Sequence, residues 1–84
     1  MYKRQELSTL RQINSRLQGH PDKVSLDILD SGTGALGQGL SIAIGYALSQ
    51  NLKKSSYKTY CLLGDGEMQE GQIWEAIMLS LIHI

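Results

Sequence analysis

The chain has 84 residues, a single cysteine, and eight Lys and Arg that balance eight Asp and Glu. That balance excludes the basic footprint of a nucleic-acid binder and a polybasic membrane patch, and the lone Cys61 excludes an internal disulfide framework. The length allows at most one small domain, the 42% hydrophobic content is enough for a packed core, and the expected setting is reducing and cytoplasmic.

Met1-Tyr2-Lys3-Arg4 opens a polar stretch, not the apolar region of a secretory signal, and no apolar run approaches the length a bilayer requires. Leu7, Leu10, Ile13 and Leu17 fall at helical spacing, which predicts an amphipathic helix over residues 5–17, stopped by Gly19 and Pro21. Between residues 23 and 30, Val24, Leu26 and Ile28 alternate as in a strand, while Asp27 and Asp30 interrupt the pattern. A glycine-dense loop over residues 31–39 leads into a predicted helix at 40–52, where Ala43, Gly45 and Ala47 make one side thin. Lys53-Lys54-Ser55-Ser56 reads as a solvated loop. Residues 57–63 form the strongest strand signal, with Cys61 as a small core residue in it. From Glu70 onward Ile73, Trp74, Ile77 and Leu81 share a helical face, with Trp74 and Ile77 read as core.

This alternation predicts an α/β fold, with a parallel sheet and helices on both faces. One clear strand cannot make a sheet, and the last predicted helix reaches Ile84 without a cap. Residues 1–84 are therefore read as part of a larger domain, truncated at both ends.

Gly32-Thr33-Gly34-Ala35-Leu36-Gly37 matches the G-x-G-x-x-G pattern of dinucleotide-binding loops. The nicotinamide reading also needs a firm preceding strand and an acid roughly 20 residues on. No acid lies between Asp30 and Asp65, so that reading is set aside. A glycine loop opening a helix can still present N–H groups to a phosphate or diphosphate. The same glycines would equally let backbone pack against backbone, and they do not choose between the two.

Gly64-Asp65-Gly66 follows directly on the predicted strand. In open parallel sheets ligands gather at the carboxyl ends of strands, and a lone carboxylate beside a diphosphate suits Mg2+, which takes one or two carboxylates plus phosphate oxygens and water. The competing reading, in which Asp65 caps the next helix, fits less well because that helix is predicted to start near Glu70.

Gly64-Asp65-Gly66-Glu67-Met68-Gln69-Glu70-Gly71 resembles the opening of the thiamine diphosphate signature. Three stretches, LSTLRQINSRLQGHPD, TGALGQGLSIAIGYAL and YCLLGDGEMQEGQIWEA, together resemble the thiamine diphosphate-binding half of transketolases, including forms in which that half is a separate N-terminal subunit. The resemblance implies a fragment of a parallel-sheet thiamine diphosphate-binding domain that transfers a two-carbon ketol unit from a ketose phosphate to an aldose phosphate. It implies Asp65 as a ligand of Mg2+ (or Ca2+), with Gly64 against the diphosphate and Gly34 and Leu36 lining the cofactor. His20 would hydrogen-bond the sugar donor, and Glu70 would lie at a dimer interface near the glutamate that activates the cofactor. The implied partners are sugar phosphates and either a second copy or a separate C-terminal subunit.

By the same resemblance a second metal ligand, an Asn, would follow Ile84, and a further active-site histidine would precede Met1. Residues 80–84 depart from the family pattern, so His83 receives no role, and the 84 residues by themselves are expected to be inactive. Deoxyxylulose phosphate synthases and 2-oxoacid dehydrogenase subunits share a Gly-Asp-Gly motif, but LQGHPD and LGQGLS favour transketolase. A non-catalytic remnant of the fold is the alternative from another class.

Overall fold

A computed structural model describes residues 4–83, the last of them by its backbone alone. The expectations attached to Met1 and to Ile84 lie outside the described residues. The chain divides into two compact units, Met1–Gly34 and Ala35–Ile84.

In the first unit the predicted helix over 5–17 is replaced by a short 3-10 helix, Arg4–Thr9, followed by turns. Positive φ angles at Arg11 (64°) and Asn14 (65°) end any helical path. Most of the apolar stripe stays in water: Leu7, Leu10 and Ile13 remain 65%, 56% and 93% exposed, and Leu17 is half-buried. An amphipathic helix draws most of its stability from the face it buries, so without a partner the short polar side chains win locally. Ser8 and Thr9 donate to the carbonyls of Gln5 and Glu6, and Ser15 Oγ accepts from the N–H of Leu17. The Arg16 guanidinium pairs with Glu6.

Residues 23–30 form turns and not a strand. Asp22 sets them up: its carboxylate accepts the N–H groups of Val24 (3.0 Å) and Ser25 (3.2 Å), and its carbonyl accepts the N–H of Leu26 (2.9 Å). This is the local side chain to backbone bonding by which Asp competes with a ladder. Leu26 is buried, whereas Val24 and Ile28 are exposed.

The second unit is built on two α-helices, α1 (Gln38–Leu52) and α2 (Gly71–His83), which pack on each other. Both lie where the sequence predicts helices, at 40–52 and from Glu70 onward. Ile44 of α1 and Ile73 and Ala76 of α2 are buried, Ile73 completely. Trp74 is not a core residue; it is 54% exposed and its indole N–H donates to the carbonyl of Met68 (3.0 Å). Beyond α1 the chain closes through Lys53 N–H to Ser49 and Ser55 N–H to Gln50, with Lys54 left-handed at φ 53°.

The α/β expectation is overturned: there is no strand, hence no parallel sheet flanked by helices, among the described residues. Residues 57–63 are non-helical and unpaired, and Tyr57, Tyr60 and Leu62 are 80%, 86% and 98% exposed. A strand exists through the ladder it shares with a neighbour. Residues 23–30, the other strand expected, spend their backbone groups on turns.

Candidate functional site

Gly64-Asp65-Gly66 joins the unpaired stretch to a 3-10 helix, Gly66–Gln69, which runs into α2. Asp65 opens that short helix with its backbone, its carbonyl accepting the N–H of Met68 at 3.2 Å. Its carboxylate is exposed and makes no capping hydrogen bond. Around Gly66 nothing comes within 4 Å of where a Cβ would stand.

Glu67 is the residue that organises this turn. Its Oε2 accepts the N–H of Gly64 at 2.8 Å and its Oε1 accepts the N–H of Gly37 at 3.0 Å. These N–H groups, Gly64 first and Gly37 second, hold the Glu67 carboxyl below the usual carboxylate range. Gly37 is the buried N-cap of α1, in the left-handed conformation with φ 82°. A Cβ there would stand 2.8 Å from Gln72 Cγ. Gln72 in turn donates from Nε2 to the carbonyl of Leu36 at 2.8 Å. Two side chains distant in sequence therefore grip one turn, Glu67 on the N–H of Gly37 and Gln72 on the carbonyl of Leu36.

Of the residues singled out by sequence, Leu36, Gly64, Asp65 and Glu70 lie in the second unit. The Leu36 side chain is 59% exposed. Glu70 ends the 3-10 helix in an extended conformation (φ −72°, ψ 132°), and its carbonyl accepts the N–H of Ile73 at 3.1 Å. His20 and Gly34 lie in the first unit and are brought together there. A Cβ on Gly34 would stand 3.1 Å from His20 Nδ1. The pairing follows from the backbone, since Thr33 N–H donates to the carbonyl of Pro21.

Sequence reasoning missed Glu67 and Gln72. A faint signal for Glu67 was present, because an acid three residues after a turn glycine can reach back to its N–H, as in a capping box. Its second partner, Gly37, is thirty residues away and leaves no local mark. Cys61 is exposed, not a core residue. Partial burial and then the Glu67 carboxylate push its thiol up, the opposite of an activated nucleophile.

The chemistry of this turn fits a diphosphate carried with a hard cation. Mg2+ takes one or two carboxylates alongside phosphate oxygens and water, and the Asp65 carboxylate is exposed and makes no capping bond. The space at Gly66 lets a bulky group approach the backbone. No three His, Cys, Asp or Glu side chains converge among the described residues, so an all-protein metal cage is not formed there. No helix of the described residues is long and apolar enough to cross a membrane.

Residues 2–83 match the family described as transketolase, thiamine diphosphate binding domain. The chain is 48% identical over 79 residues to transketolases of Pongo abelii and Homo sapiens, covering 93% of this chain and 12% of each relative. It is also 45% identical over 75 residues to one of the subunits of the apulose-4-phosphate transketolase of Phocaeicola vulgatus, covering 89% of this chain and 26% of that protein. The chain thus spans about an eighth to a quarter of the length of these relatives.

Proposed function

The chain belongs to the family of transketolase thiamine diphosphate-binding domains, and from that premise we propose that it grips the cofactor's diphosphate through Mg2+ in a cytoplasmic transketolase. Asp65 is the metal ligand, Gly64 lies against the diphosphate, and Gly34 and Leu36 line the cofactor. His20 hydrogen-bonds hydroxyls of a ketose phosphate, and Glu70 meets the second half of the enzyme. When bound, thiamine diphosphate supplies the electron sink for moving a two-carbon ketol unit from a ketose phosphate to an aldose phosphate. This chain's residues hold, orient and neutralise charge. That second half is either another copy or a separate C-terminal subunit. The apulose-4-phosphate relative is named as a subunit, which supports the form with a separate second chain.

The observation that carries the reading is the exposed, uncapped carboxylate of Asp65 at a turn whose next glycine leaves open space. Had Asp65 capped the following helix, its oxygens would be spent on N–H groups and would not be open to a metal ion.

Calorimetric titration of the full-length protein with thiamine diphosphate, with and without Mg2+, tests it. Binding that needs Mg2+ and disappears in Asp65→Ala, with helical circular dichroism unchanged, is the expected outcome. Tight Mg2+-dependent binding by that variant would remove Asp65 from the metal. Absence of any binding by the unaltered protein would remove the reading altogether.

A further inference from the structure

Glu67 has no part in the roles proposed so far, yet it makes the two bonds that join the glycine turns. An ionised carboxylate is an acceptor with two oxygens, and here each oxygen takes one backbone N–H from a different stretch of chain, at 2.8 Å from Gly64 and 3.0 Å from Gly37. Such charge-assisted bonds are stronger than neutral ones, and a buried N–H left without a partner is costly. Gly37 is buried. The geometry also selects the side chain. Gln offers one oxygen and an NH2 group that would face an N–H, so it can keep one bond but not both. Asp is shorter by one methylene.

We propose that Glu67 is the positioning residue of the site, holding the Leu36-Gly37 turn at a fixed spacing from the Gly64-Asp65-Gly66 turn so that the two move as one body. The inference rests on the reading in which these turns line the cofactor and carry the metal carboxylate. It assigns Glu67 no contact with substrate or cofactor. Gln72 supports the same turn from its other side, through the carbonyl of Leu36, and this bond leaves the Gly64 turn untouched. The Glu67 carboxylate bonds to both turns.

The test is amide hydrogen exchange at Gly37 and Gly64 in the full-length protein with glycine-selective isotope labelling. Unaltered protein, Glu67→Gln and Glu67→Ala are compared, and thiamine diphosphate affinity is measured on the same samples. In the unaltered protein both amides are expected to exchange slowly. Glu67→Gln should release one of them and Glu67→Ala both, by about tenfold or more. Gly45 inside α1 should keep its protection, which separates a local release from unfolding. Cofactor affinity should fall about tenfold while kcat at saturating cofactor holds. Two results overturn the proposal: rapid exchange of both amides in the unaltered protein, or cofactor affinity unmoved in Glu67→Ala although both amides are released. Failure of the unaltered protein to bind thiamine diphosphate would instead sink the cofactor reading and, with it, the positioning role; slow exchange would then leave only a structural clasp.

Discussion

The imidazole of His20 lies against the backbone of Gly34, so that a Cβ there would stand 3.1 Å from Nδ1 and 3.3 Å from Cγ. Gly34 does not have a positive φ, so a side chain strains nothing but this contact. His20 is exposed, and its ring can give way by the few tenths of an ångström required. Gly34→Ala is therefore expected to change stability by less than about 1 kcal/mol, while clearly shifting the His20 ring resonances in NMR spectra. In an enzyme that uses His20 on the sugar donor, KM for the ketose phosphate should rise more than kcat falls. Unchanged ring resonances would show that the two residues are not in contact.

Gly37 offers the opposite case. Its φ of 82° costs an L-residue about 1–2 kcal/mol, and a Cβ would meet Gln72 Cγ at 2.8 Å and Nε2 at 2.9 Å. Displacing Gln72 also breaks its bond to the Leu36 carbonyl. Gly37→Ala should destabilise by about 2–3 kcal/mol in chemical denaturation. Made together with Gln72→Ala, the two changes should cost less than their sum, because the steric part of the first is relieved by the second. Strict additivity would mean that backbone strain accounts for the whole effect.

The core of the second unit ranks two neighbouring residues of α2. Ile73 is completely buried, whereas Trp74 is 54% exposed. Ile73→Ala should cost about 2–5 kcal/mol, since it removes transfer free energy and leaves a cavity between the helices. Trp74→Ala should cost less despite its size, with one hydrogen bond to the Met68 carbonyl among the losses. Denaturation midpoints of the two variants decide the ranking, and a larger loss at Trp74 would contradict the packing described.

These rankings were only partly legible in the sequence. The helices α1 and α2 announce themselves by local signals, a run of small residues after a glycine-dense loop for α1 and apolar spacing for α2, and tertiary packing did not override them. The stripe Leu7, Leu10, Ile13 gives the same signal and fails, because a stripe states what could be buried and not whether a partner arrives. The segment 57–63 fails for a related reason, since its β-forming residues say nothing about the neighbour that would pair with them. Within the site, Gly-Asp-Gly locates the turn at once. The clasp from Glu67 does not show, because it depends on a backbone N–H thirty residues away. His20 and Gly34 meet through a turn built on Pro21 and Thr33, which the resemblance alone did not describe.

Acid should weaken the first unit through Asp22. The Val24 N–H, then the Ser25 hydroxyl and N–H, hold its carboxyl below the ordinary carboxylate range. An unfolded chain lacks those bonds, so in acid it binds a proton before the folded chain does, and stability rises with pH across that interval. The contribution is therefore complete above the ordinary Asp range, near about 4, and is lost as pH falls through the lower folded value. Glu6, lowered chiefly by its hydrogen bond to Arg16, acts in the same direction. Asp22→Asn keeps an oxygen for the turn but cannot ionise, so its stability curve should be flatter than that of the unaltered chain below about pH 4. Measuring denaturation midpoints for both between about pH 2 and pH 6 checks this. Parallel curves would mean that the Asp22 turn persists in the unfolded chain, and that its bonds add nothing to the difference between the two states.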